Sequence, residues 1–546
     1  MNPIKKMISH SALWALTCLL ALAPPPASAQ KPFTILTRAE ATDYRETSHY
    51  SDVIAFLSRL KAEGAPIRLE EIGTSAEGRK IPLVIVAKPM VKNAVEARKK
   101  GKLVIYLQAN IHGGEVEGKE AVLILLRELA KRDANRWLDR LVLLIAPIYN
   151  CDGNDKLGPC KINRSHQDGP DPVGDRPNGQ GLDLNRDCIK AETPEMQGAL
   201  KFIYNAWNPE VMMDLHTTDG TRHGFQLTYS PPLNPNTEPS VLQFARDRFL
   251  QNIKSKLLTT DKMALFDYGN VEQRAGERVF ATFGEEGRYV TNYVGLRNRI
   301  AILSEAASFL PFKTRVHATL RFVEEVLNEA AKNAGSIKKL LSVADRRVVS
   351  WGEKSETAPE LGVRFDFDKR GIESIPLEKS RPENEIDHQK APVDMEQTTL
   401  PIYDRFKVTK SARFPSAYLI SPTATALIEL LKRHGIQMQT YREESRARRE
   451  ALDETFQKFH IESVHRAKSP FQGHRLVRLE GTFTACKPDI LENTIVVKTS
   501  QPLGILVFHL LEPESLDGVA AWDLMGTELK PGDDYTILKR FSNGTR

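Results

Sequence analysis

The chain has 546 residues, of which 41% are apolar and 27% charged, and its net charge is +6. That length exceeds one ordinary hydrophobic core and points to two folded units, and the composition excludes a disordered or fibrous chain. Both signs of charge are spread along the sequence and no basic block is interleaved with aromatics, which excludes a nucleic-acid-binding surface of the usual kind.

Residues 1–29 read as an address. "MNPIKK" supplies positive charge, "ALWALTCLLALA" an apolar centre, and "PPPASA" a small-residue end at Ala27-Ser28-Ala29. This pattern predicts an export signal cleaved after Ala29 and a protein that is periplasmic or secreted. The alternative is an uncleaved anchor, but the apolar run is shorter than the ~20 residues a span needs. No later segment is long enough to cross a bilayer.

From about residue 50 to 335, short apolar runs alternate with helical patterns. "IPLVIVAK", "KLVIYLQAN", "RLVLLIAPIYN", "PEVMMDLH" and "RIAILSEAAS" read as strands buried on both faces. "GKEAVLILLRELAKR", "ETPEMQGALKFIYNAW" and "HATLRFVEEVLNEAAKNA" read as helices. The alternation predicts a three-layer α/β/α domain over 30–344 around a mostly parallel mixed sheet. Residues 345–400 are polar and rich in Pro and Glu, and are expected to be a connector. Over 401–546, "SAYLIS", "RLVRLEG", "NTIVVKTS" and "GILVFHLL" read as strands and "TATALIELLKRHG" as a helix, which predicts a smaller β-rich C-terminal domain. In an oxidising compartment Cys151 and Cys160 are placed to form a local disulfide, with free buried thiols the equal alternative.

Three of the strand-like runs end in residues that can bind or activate a ligand. "LVIYLQAN" leads to His112 and Glu115, "VMMDL" to His216, and "IAILS" to Glu305. In an open α/β sheet the strand C-termini face the crevice where ligands bind, so these residues are expected to converge. Two His and one carboxylate form a catalytic zinc set with a water in the fourth position, and a nearby free carboxylate such as Glu305 suits the general base. H-x-x-E is by itself a weak signal, and a second copy occurs at His509 and Glu512. That copy is set aside because its spacer is two leucines in a strand-like run. In the first copy Gly113 and Gly114 allow the loop to bring both side chains to one ion. Between the strands, "GLDLNRD" places Asp183, Asn185 and Arg186 in a polar loop, and "KINRSHQDGP" places Arg164. Arg186 with Asn185 has the chemistry to hold a carboxylate by charge-assisted hydrogen bonds.

Taken in order, "IGTSAEGRKIPLVIV", "HGGE", "YNCDGN", "GLDLNRD", "MMDLH" and "ILSEAAS" resemble the zinc carboxypeptidase (M14) family over about residues 45–335. The resemblance implies one zinc per chain on His112, Glu115 and His216, and Glu305 as general base and proton shuttle. It implies Asn185 and Arg186 as the grip on the substrate's terminal carboxylate, and Asp183 as the acid that orients the first zinc His. Arg164 is its best match to the arginine that stabilises the oxyanion, and Tyr289, with Tyr293 the alternative, to the tyrosine that closes over substrate. Gly114 stands where digestive members carry an arginine, and Asp187 where Asn or an aromatic is common, so side-chain specificity is left open.

The expected function is thus an exported zinc metallocarboxypeptidase acting on peptides with a free carboxylate. The alternatives are a zinc deacylase of small N-acyl amino acids and a non-catalytic peptide- or wall-binding protein.

Overall fold

The computed structural model describes residues 35–130, 135–380, 387–447 and 454–542. The export signal read at 1–29 lies outside them. Among the described residues no helix is long and apolar enough to cross a membrane.

The strands of the first region are β1 (Ile67–Thr74), β2 (Lys80–Val86), β3 (Leu103–Ala109), β4 (Leu141–Ala146), β5 (Val211–Thr217), β6 (Leu227–Ser230) and β7 (Leu265–Asp267). A hairpin of β8 (Asn270–Arg274) and β9 (Glu277–Ala281) follows, then β10 (Ile300–Ala306). Eight of them form one sheet in the order β1-β2-β4-β3-β5-β10-β6-β7. The β4-β3-β5-β10 centre is parallel, as is the β6-β7 pair, whereas β1-β2, β2-β4 and β10-β6 are antiparallel. Every residue of β3, β5 and β10 is buried, which is why these strands read as continuous apolar runs.

Alternate residues of the central strands serve two helix layers. Gly118, in helix Glu117–Leu129, packs against Ala109 and Leu215, which are register partners across β3 and β5. A side chain on Gly118 would approach Leu215 Cβ to 2.7 Å, so only glycine allows this helix so close to the sheet. Tyr106 points the other way and meets Tyr204 edge-on at 6.2 Å, with Tyr293 of helix Val290–Leu296 at 5.8 Å beyond it. The fold is therefore the α/β type with a mixed sheet that the alternation predicts.

The second half departs from expectation in two places. Among the described residues of 345–400, regular elements stand where a connector is expected. The helix from Phe312 runs on to Glu353, and strands β11 (Glu360–Asp368), β12 (Gly371–Glu378) and β13 (Met395–Tyr403) follow. β12 and β13 bury only a narrow face, Ile375 with Leu377 and Leu400 with Ile402, and β11 only its start at Leu361 and Val363, so the apolar signal is sparse. β12 and β13 join β9 and β8 in a four-stranded sheet, and β11 pairs with β14 (Arg405–Arg413). Secondly, "GILVFHLL" is a helix, Gly504–Leu511, in place of the expected strand. It is buried on all sides, so no helical periodicity survives in its sequence.

The remaining strands are β15 (Ala417–Ile420), β16 (Gln439–Thr440), β17 (Glu454–Arg466), β18 (Val477–Cys486), β19 (Ile495–Lys498) and β20 (Leu538–Ser542). They form an antiparallel sheet in the order β16-β19-β15-β20-β17-β18. Its core residues, among them Phe414, Phe508 and Trp522, are continuous with those of the eight-stranded sheet. Cys151 and Cys160 are both buried and free, so the local disulfide is not formed.

Candidate active site

β3 ends at Ala109, and the chain turns at Asn110, whose φ of +60° is left-handed. The Asn110 side-chain amide donates to the carbonyls of His112 (3.0 Å), Gly113 (3.2 Å) and Glu115 (3.1 Å), which fixes the loop from inside. Gly113 is required by close approach: a Cβ there would lie 2.2 Å from the Gly153 carbonyl carbon. The loop thus presses His112 and Glu115 toward the end of β5. There His216 stands directly opposite Glu305 in the parallel β5-β10 ladder.

His112, Glu115 and His216 are buried, and one ligand atom from each lies within 4.8 Å of the others. Among the described residues no other His, Cys, Asp or Glu trio is grouped this tightly. Nδ1 of His112 is 2.9 Å from Glu115 Oε1, and Nδ1 of His216 is 2.9 Å from Glu115 Oε2. The opposite ring nitrogens are backed by carboxylates: His112 Nε2 is 3.0 Å from Asp183 Oδ1, and His216 Nε2 is 2.9 Å from Asp214 Oδ2. Two imidazoles and one carboxylate with convergent donor atoms, each imidazole backed by an acid, fit a divalent zinc ion.

Burial alone would push the Glu115 carboxyl up, but His112 and the Arg164 guanidinium hold it well below the usual range. Asp183 is likewise held low against its burial by His112 and Arg176. Glu305 is shifted the other way: burial, with repulsion from Glu115 and Asp219, raises its carboxyl well above the usual value, opposed by His216. Its Oε2 is buried with no hydrogen-bond partner.

These groups open into a cavity of about 210 Å³ whose wall includes Arg176, Asn185, Arg186, Asp219, Tyr289 and Glu305. The Arg186 guanidinium stacks 4.5 Å above the Tyr289 ring, and Asn185 Oδ1 accepts from the Val290 N–H at 2.9 Å. Of Tyr289 and Tyr293, it is Tyr289 that lines the cavity, together with Tyr268. Tyr293 is fully buried, its hydroxyl 2.9 Å from His434 Nδ1 and accepting from Arg297 at 3.0 Å.

Arg164 is placed differently from expectation. Its guanidinium donates to the carbonyls of Thr217 (3.2 Å) and Thr218 (3.0 Å) and to Gln167 Oε1 (3.0 Å), with Nη1 3.2 Å from Glu115. It is a strut behind the Glu115 carboxylate and does not line the cavity. The arginine on the wall next to Glu115 is Arg176, which the sequence reading passes over. It donates through Nε to Asp183 at 3.0 Å and has Nη1 3.4 Å from Glu115, with 37% of its side chain exposed against 10% for Arg164. Asp214 was also missed, although its position two residues before His216 on one strand places both side chains on the same face. The second H-x-x-E copy forms no site. His509 is buried, and Glu512 is bound to Lys539 (2.7 Å) and Tyr418 (2.5 Å).

Residues 53–256 match the family model described as "Peptidase_M14: Zinc carboxypeptidase", a span that holds the triad, Asp183, Asn185 and Arg186 and ends before Tyr289 and Glu305. The chain is 22% identical over 509 residues to "Carboxypeptidase 2" of Trichophyton rubrum, covering 89% of this chain and 85% of that one. It is 23% identical over 484 residues to "Carboxypeptidase 2" of Trichophyton tonsurans, covering 85% and 81%. Among solved structures it is similar to a metallo-carboxypeptidase from Pseudomonas aeruginosa, with a TM-score of 0.39, 18% identity, and coverage of 53% of this chain and 70% of that one.

Proposed function

We propose that this chain, which matches the zinc carboxypeptidase family model over residues 53–256, is an exported enzyme that removes the C-terminal residue from peptides bearing a free carboxylate. The observation that carries this reading is the single cavity shared by the His112–Glu115–His216 trio, the partnerless Glu305 oxygen and the Arg186–Tyr289 stack.

His112, Glu115 and His216 would hold the zinc ion. When bound it supplies Lewis acidity, which polarises a carbonyl and lowers the pKa of a water to about 7. Asp183 and Asp214 keep the two imidazoles oriented and basic through their outer nitrogens. Arg186, held flat by the Tyr289 ring, and Asn185 bind the terminal carboxylate and set the depth to which the peptide enters. Glu305 Oε2 accepts the proton of the attacking water and delivers it to the leaving amine nitrogen. Arg176, the exposed guanidinium on the wall, donates to the carbonyl oxygen as negative charge gathers on it. Arg164 keeps Glu115 in place from behind. The basic–apolar–small pattern at residues 1–29 supports export.

The test is a set of paired peptides with free and amidated C-termini, read by mass spectrometry. Loss of single C-terminal residues from the free acids, abolished by amidation, is expected. Equal cleavage of both forms refutes the carboxylate grip, and removal of small acyl groups alone replaces this reading with the deacylase.

A further inference from the structure

Among the contacts of the β-rich C-terminal unit with the segments that carry Arg186 and Tyr289, two fall beside those residues at the rim of the cavity. The first is the turn Phe471–His474 between β17 and β18, closed by reciprocal backbone hydrogen bonds of its end residues at 2.7 and 3.0 Å. Gln472 and Gly473 at its tip both have left-handed backbones, with φ of +49° and +84°. Gln472 Oε1 accepts from the Asp183 N–H at 2.8 Å. His474 Nε2 lies 2.9 Å from both carboxylate oxygens of Glu192, further along the same segment.

The second point is Asp517. It accepts from the Arg288 backbone N–H at 2.5 Å and from Arg288 Nε at 2.8 Å, and is fixed in turn by Trp522 Nε1 at 2.7 Å. The Arg288 guanidinium also lies 4.7 Å from the Trp522 ring and 5.3 Å from that of Phe471. Trp522 therefore stands between the two contacts and joins them.

These contacts act on backbone. Asp183 precedes the single 3-10 turn Leu184–Arg186 and caps it through the Asn185 N–H, so pinning the Asp183 amide sets the direction in which Asn185 and Arg186 leave the turn. The Arg288 amide does the same for Tyr289, the residue that begins helix Val290–Leu296. Once both backbones are placed, the Arg186–Tyr289 stack and the Asn185–Val290 hydrogen bond close the carboxylate end of the cavity.

We infer that the C-terminal β-rich unit is a positioning element for the carboxylate-binding end of the active site, with Gln472 and Asp517 as its two contacts. The inference rests on the reading of Arg186 as the carboxylate grip. Gln472 and Asp517 are positioning residues; neither lines the cavity.

The test uses the full zinc-loaded chain with Gln472→Gly, a substitution the left-handed backbone accepts without strain, so that the turn is kept and only the side-chain acceptor is lost. For free-acid peptides KM should rise about 3- to 10-fold, as expected for one lost hydrogen bond, with kcat within about twofold. Zinc content and the thermal midpoint should be unchanged, and preference for free over amidated peptides should fall by the same factor as KM rises. Gln472→Glu, which keeps an acceptor oxygen, should restore most of the loss. An unchanged KM in Gln472→Gly, or a fall in kcat alone, overturns the inference. Arg186→Ala is measured alongside. If it abolishes the free-acid preference while Gln472→Gly does not alter it, the positioning role fails and the carboxylate grip stands. If Arg186→Ala leaves the preference intact, the grip itself fails and the inference goes with it.

Discussion

Glu305 owes its position to strand register. Its ladder partner is His216, so carboxylate and imidazole are set side by side by backbone hydrogen bonds and neither needs a flexible loop to find the other. Glu305→Gln keeps the shape of the side chain and removes the proton acceptor. Turnover is expected to fall about 10²- to 10⁴-fold while bound zinc, measured by metal analysis, and peptide affinity stay as in the parent. Near-normal turnover would remove Glu305 from the chemistry. The residues that the structure brings together here were legible because each ends an apolar run, and the sheet then gathers run ends at one edge. Arg176 was not legible. It lies in a stretch rich in Gly, Pro and Asp with no periodicity, where Arg164 and Arg176 look alike until the chain is folded. Asp214 was hidden differently: inside a buried strand it reads as an exception to the apolar run, and its purpose shows only in the imidazole beyond it.

At the scale of elements, the parallel strands and amphipathic helices of the first half declared themselves by length and period, whereas helix Gly504–Leu511 did not. Its one polar interior residue, His509, is buried with Nε2 unpartnered, and burial, aided by the nearby Arg288 charge, pushes its pKa down to about 4. A histidine depressed from an ordinary ~6.5 takes up its proton first in the unfolded chain. Its share of stability is therefore complete above pH 6.5 and is lost as pH falls toward 4, at about 1.4 kcal/mol per pH unit. His509→Leu removes this dependence. Urea unfolding is expected to show the variant gaining about 2 kcal/mol on the parent between pH 7.5 and pH 5. An advantage that does not change with pH would show that His509 is not titrating on unfolding.

For the whole molecule, the sequence suggested a catalytic unit, a connector and an appended domain. The structure instead runs one apolar interior from the eight-stranded sheet into the C-terminal strands, through Phe414, Phe508 and Trp522. A continuous interior couples the melting of its parts, so calorimetry of the full chain should show a single cooperative endotherm. Two separated endotherms would mean that the halves melt independently. The polar composition of residues 345–400 obscured this, because strands that bury only every second side chain leave a thin apolar trace.

The return of β12 and β13 to the β8-β9 hairpin bears on where such a chain can be cut. Ile375, Leu377, Leu400 and Ile402 cover Phe266 and Phe280, so a polypeptide cut after residue 344 would leave those rings wet and the β9 edge open. The half that carries the site is therefore not self-sufficient when cut where its site residues end: it needs the sixty residues that follow to keep that cluster dry.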